Sequence, residues 1–190
     1  MDSYTARNTG WLILITGIVG ALAFVFFLAF AVGFLFDIPS LLIFGGLNDL
    51  FSAIQAFLSA ILAWTLFAAQ RKQSLILSII GLLMVCFGSL VVILDSGLGI
   101  SGTSIGLPSR YDLHVGWFLI GAWLIILNTQ SLLAAAWLKK ETNLGLLSGL
   151  SLIISMGLAG TPLVLILSIP YPIWCIWLGR NILRSKQVEN

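Results

Sequence analysis

The sequence predicts an all-α fold: a bundle of six transmembrane helices, both termini cytoplasmic, the sixth helix kinked by proline. Three observations predict it. Of 190 residues, 59% are hydrophobic and 8% charged, with a mean hydropathy of +1.10, a balance that no water-facing surface of this length tolerates. Apolar runs recur at the length of about 20 residues that a helix needs to cross ~30 Å of hydrocarbon. Eight of the nine lysines and arginines fall on one set of connections and one on the other, as cytoplasmic retention of cations requires.

Four spans are plain, at 11–35, 48–69, 74–94 and 113–138. The stretch 144–184 is interrupted by Pro162, Pro170 and Pro172. A reversal at Pro170 would leave a last helix of about a dozen residues, ~18 Å, too short to cross. A turn at "GLAGTP" gives helices at 144–160 and 162–183 instead, with Thr161 as N-cap and Pro162 in the first helical position, where its missing donor is harmless. "IPYP" is then a kink within the sixth helix. No linker or low-complexity tract divides the chain, so residues 1–190 form one transmembrane domain.

Orientation follows from charge. Arg7, Arg71, Lys72, Lys139, Lys140, Arg180, Arg184 and Lys186 lie in the N-terminus, the second and fourth connections and the C-terminus, whereas Arg110 alone lies on the other side. Trp11, Trp64, Trp137 and Trp177 fall toward the cytoplasmic ends of their helices, where indoles anchor among headgroups. Arg7 and the small-residue "AFA" at 29–31 resemble a secretory signal, but the apolar run exceeds the usual length of about 7–15 residues. It reads as the first helix.

The polar residues inside these spans are the candidates for function. Asn48, Ser52, Gln55 and Ser59 recur at i, i+4, i+7 and i+11, one narrow stripe at about 100° per residue. Such a stripe faces protein or water, either as interhelical hydrogen bonds or as the lining of a path. "NTQS" at 128–131 sets Asn128 and Gln130 on nearly opposite sides of the fourth helix, so one side is expected to meet the bundle and the other to find another helix, a partner subunit or an escape toward the interface. Tyr171, between the two kink prolines, is placed to satisfy a carbonyl freed near Ile166 or Ser168. Ser74, Ser78, Gly81, Gly88 and Ser89 on the third helix, and Gly145 and Gly149 on the fifth, form small-residue faces for close packing.

The outer rim holds Asp37, Asp49, Asp95, Arg110, Asp112 and His114. Asn48 or Asp49 is expected to cap the second helix and Asp112 the fourth. Asp37 reads as a turn residue. Asp95, at the unfavourable end of the third helix dipole, has Arg110 as its expected partner.

Several chemistries lack their residues. One histidine and no CxxC or HExxH spacing give no metal or haem ligand set, and no cofactor is implied. Cys86 and Cys175 sit in apolar runs, without an extramembrane pair to form a disulfide. No nucleophile triad or phosphate loop occurs, so an enzyme is not favoured. The cations are too scattered for a nucleic-acid surface.

With "FGGLNDLFSAIQAFLSAILAWTL" and the ending "YPIWCIWLGRNILRS", the chain resembles an uncharacterised family of small six-helix bacterial integral membrane proteins. The resemblance covers most of the chain and implies a bacterial plasma (inner) membrane setting, with no activity or site residues carried across. Two functions are consistent with these residues. The first is an accessory or structural component of a membrane assembly, contacting a membrane-protein partner or a second copy through the fourth helix. The second is a small transporter or channel whose polar path is lined by the second, fourth and sixth helices.

Overall fold

In hydrocarbon every amide must find its acceptor within the protein, and helices achieve this along a single segment. The computed structural model describes residues 3–101, 110–134, 139–158, 161 and 163–185, and among them the regular structure is helical throughout. Five segments are long and apolar enough to span a membrane, the two halves of the sixth helix counting as one. The fifth helix is not among them; its Glu141, Thr142, Ser148, Ser151 and Ser155 turn inward, while Lys139, Lys140 and Asn143 are exposed.

The first helix, α1 (Ser3–Leu35), has 33 residues, about 50 Å at ~1.5 Å per residue, so it tilts or projects beyond the hydrocarbon. It begins eight residues before the expected start at 11. It ends where Ile38 N–H reaches back to the Gly33 carbonyl at 2.8 Å, with Asp37 in the left-handed region at φ 53°. Asp37 is thus the turn residue its sequence context suggests, since aspartate tolerates this conformation better than most side chains.

A short 3-10 turn, Pro39–Leu41, leads into α2 (Ile43–Gln70). The second helix therefore starts five residues before the expected 48, with Leu42 at the cap position and no side-chain cap. Leu42 N–H bonds the Pro39 carbonyl of the 3-10 turn at 3.1 Å, and Gly45 N–H bonds the carbonyl of Leu42 itself at 3.1 Å. Asn48 and Asp49 consequently lie inside the helix and cap nothing; Asn48 Nδ2 donates to Asp49 Oδ1 at 3.2 Å.

The third helix, α3 (Leu75–Ser101), runs seven residues past the expected end at 94, so Asp95 is interior to it. The fourth, α4 (Arg110–Leu133), starts at Arg110, which puts Asp112 in its first turn instead of at its cap. The side chains of Arg110 and Asp112, the expected Asp95–Arg110 pair, and Trp137 lie outside the described residues. The fifth, α5 (Lys139–Gly157), starts earlier and ends earlier than the expected 144–160. Thr161 is not the N-cap of the sixth helix. Its hydroxyl donates to the Leu158 carbonyl at 2.8 Å and closes the end of α5, while Pro162 lies outside the described residues.

The sixth helix is broken, not only kinked, into α6 (Leu163–Ser168) and α7 (Pro170–Ser185), with Ile169 at the break. Pro170 and Pro172 bring no amide to the carbonyls four residues earlier. Ile169 N–H lies 3.3 Å from the Ile166 carbonyl in a tightened turn.

The helices form a closed ring in which each of α1 to α5 packs on its successor and α7 lies against both α5 and α1. Glycines set the closest crossings. A Cβ on Gly88 would lie 2.6 Å from the Gly116 carbonyl of α4, and one on Gly121 of α4 would lie 2.7 Å from the Gly149 carbonyl of α5. On α7, a Cβ on Gly179 would lie 2.7 Å from the Leu14 amide of α1. Such contacts replace the hydrophobic drive that is missing between helices in lipid.

The outside of the ring is apolar where a water-soluble protein is polar, and its interior mixes a hydrophobic core with buried polar residues. Ile76, Leu83, Phe87 and Ile166 are exposed on the outside, whereas Ser59, Asn128, Thr142 and Ser148 are fully buried. Trp11, Trp64 and Trp177 are exposed toward the end of the bundle that carries both termini, while Trp123 and Trp174 fill the interior.

Candidate functional site

The stripe on α2 turns inward, as its spacing requires: Ser52, Gln55 and Ser59 are buried. It does not pack against a polar stripe on another helix. Instead its first three members border a cavity of about 470 Å³ in the half of the ring away from the termini. Volumes of roughly 300–1,000 Å³ are typical of small-molecule sites.

The walls differ in chemistry. On one side Asn48, Ser52 and Gln55 present successive polar groups from α2. Gln55 is 5% and Ser52 8% exposed, and neither side chain has a hydrogen-bond partner among the described residues. The Gln55 carboxamide lies directly over Gly20 of α1, where a Cβ would collide with it. On the neighbouring α1, Phe24, Phe27, Phe30 and the largely exposed Phe34 form an aromatic wall, and Trp117 and His114 enter from α4. The hydroxyls of Ser155, Thr161 and Ser168 also border the space, but each donates to a carbonyl of its own segment at 2.7–2.8 Å.

The floor is a single hydrogen bond. Tyr171 Oη and Ser59 Oγ lie 2.7 Å apart, and Ser59 Oγ also donates to the Gln55 carbonyl at 2.7 Å. Tyr171 therefore serves α2 and not a carbonyl freed by the prolines, the role expected from its position. Its ring stacks on Trp174 with centroids 6.2 Å apart, so the space below is filled.

The remaining candidates fall elsewhere. Asn128 is fully buried between α4 and α5 against Gly145, its Nδ2 donating to the Leu124 carbonyl at 2.8 Å. Gln130, 3% exposed, lies 3.5 Å from Ser78 Oγ of α3. Neither borders the cavity, and the two opposite faces of "NTQS" are both absorbed inside the ring. Asp49 points at α3, where a Cβ on Gly99 would meet its Oδ2 at 2.6 Å. Asp95 lies near enough for the two carboxylates to repel. Among the described residues no three metal-ligating side chains come together.

Two features escaped the sequence reading. One is the phenylalanine wall, whose i, i+3, i+6 and i+10 spacing is visible in α1 but merges with lipid-facing residues of the same type. The other lies at the end carrying the termini. There Glu141, 5% exposed, accepts from Asn181 Nδ2 at 2.7 Å, and its backbone carbonyl accepts from Trp174 Nε1 at 3.1 Å. Glu141 is the only acid between Asp112 and Glu189, a signal that counting cations alone passes over.

A ring of helices, five of its segments long and apolar enough to span and the outside apolar, defines a multi-pass α-helical membrane protein. Compared with protein-family models, curated proteins and solved structures, the chain matches none.

Proposed function

We propose that this protein is a small membrane-embedded carrier of the transporter type, set in a bacterial inner membrane with both termini cytoplasmic, whose chamber holds its cargo. The observation that carries this reading is the chamber itself, with the uncommitted Ser52 and Gln55 side chains on its wall. Buried polar groups without partners are costly unless something satisfies them, and a bound molecule does so. A continuous channel is disfavoured because Ser59, Tyr171 and Trp174 close the floor and because Asn128 and Gln130 stand apart. The assembly reading relied on a polar residue of α4 reaching the outer face, and Gln130 turns toward Ser78 instead.

The test is extraction and mass spectrometry of small molecules retained by the protein purified in lipid discs, compared with Ser52→Phe, which fills the chamber. A molecule bound near one per chain and lost in the filled variant supports the carrier. An empty protein accompanied by a stoichiometric membrane-protein partner overturns it in favour of the assembly role.

A further inference from the structure

We infer that the chamber takes a neutral amphiphile, a hydroxyl- or carbonyl-headed molecule with an apolar chain, which enters sideways from the bilayer between α1 and α6. This rests on the carrier reading above and assigns its cargo class and route.

The head-group chemistry comes from α2. Asn48, Ser52 and Gln55 stand about one turn apart along one face, offering amide and hydroxyl groups that both donate and accept. No Lys, Arg, Asp or Glu is among the described residues bordering the chamber, and the basic side chain there, His114, has no acid beside it on the chamber wall to hold a proton at neutral pH. A charged head would lose its hydration there without a counter-charge, a loss far costlier than that of a neutral head able to use the same hydrogen bonds.

The chain chemistry comes from α1. Phe24, Phe27, Phe30 and Phe34 span ten steps of helix, ~15 Å of apolar wall, running outward along α1 from Gly20, where Gln55 sits. A compact hydrophilic solute leaves that wall unpaired, whereas an elongated apolar tail covers it.

The route comes from the break at Ile169. Beyond it, α7 packs closely along α1, whereas α6 leans on α5 and barely touches α1. Phe27, Ala31, Val164 and Leu165 flank this seam, border the chamber and are partly exposed. The seam lies within the apolar length of both helices, so what it opens onto is lipid.

The probe is a monoacylglycerol bearing a diazirine in its chain, photoactivated with the full-length protein in discs of neutral phospholipid and mapped by peptide mass spectrometry. Label is expected to concentrate on 24–34 and 163–168 relative to the lipid-facing surface of α3. It should fall about fivefold or more in Gln55→Leu, which removes the head-group hydrogen bonds, and also in Ala31→Trp, which narrows the seam. Unlabelled monoacylglycerol should compete, whereas the same chain with a phosphate or a quaternary ammonium head should not.

Uniform labelling of all lipid-facing helices, or equal competition by the charged analogues, overturns the proposal. If a retained molecule is found and lost in Ser52→Phe while the probe fails to label the chamber, the cargo class is wrong and the carrier reading stands. If neither is seen, both fall. Circular dichroism and gel filtration of each variant separate loss of binding from loss of fold.

Discussion

The Ser59 and Tyr171 hydroxyls, 112 positions apart in the chain, meet at 2.7 Å in the middle of the ring. This bond ties the stripe of α2 to the second half of the broken helix. Tyr171→Phe and Ser59→Ala are each expected to lower stability by about 0.5–2 kcal/mol, the range for hydrogen bonds between membrane helices. The double variant should lose less than the sum, because both changes remove the same bond. Thermal unfolding in one detergent checks this, and strict additivity would show that the two hydroxyls are not coupled.

Gly20 is expected to matter through Gln55. A Cβ at Gly20 collides with the Gln55 carboxamide, the flexible end of its side chain, so Gly20→Ala should displace that amide while leaving the fold intact. Retention of the chamber's molecule should drop toward the Gln55→Leu level, with a melting temperature close to the parent's. Unchanged retention in both variants would remove Gln55 from the site.

The glycine crossings differ sharply from glycines in open space. Gly121→Ala forces α4 and α5 apart at the Gly149 carbonyl and is expected to cost about 1–3 kcal/mol, as overpacking does. Gly46 and Gly97 have nothing within 4 Å of an added Cβ, and both are helical. Alanine there should be neutral or stabilise by about 0.5–1 kcal/mol. Denaturation of the three variants side by side gives the ranking.

At the opposite end, Asn181→Leu removes the donor at 2.7 Å from Glu141 Oε1. The expected loss is about 1–3 kcal/mol, since a buried carboxylate forfeits a charge-assisted bond. Asn181→Asp should be worse because it sets two acids against each other. Stability rising in Asn181→Asp would show that the bond from Asn181 to Glu141 contributes nothing.

What was legible in the sequence was whatever a period or a charge count encodes. The inward face of Ser52, Gln55 and Ser59 follows from their spacing, and the extent of the apolar segments from length. The start of α2 was not legible, because the chain winds from a 3-10 turn at Pro39 through Leu42 directly into the helix without a side-chain cap, leaving Asn48 and Asp49 inside it. The fate of Gln130 depended on which helix would stand beside α4, and nothing in "NTQS" points to Ser78 of α3. The aromatic wall was hidden for another reason: α1 is apolar all round, so its chamber-facing and lipid-facing phenylalanines look alike.

The contact between α1 and α7 has a consequence for how the protein is made. Gly10 and Gly17, which receive Leu183 and Cys175, belong to a helix that leaves the ribosome before the rest of the ring, and their partners belong to the one that follows the others. During synthesis the glycine face of α1 must therefore wait in lipid, uncovered, until α7 has been inserted. Only the arrival of α7 completes the ring, so the chamber is assembled in one late step of biogenesis and not helix by helix.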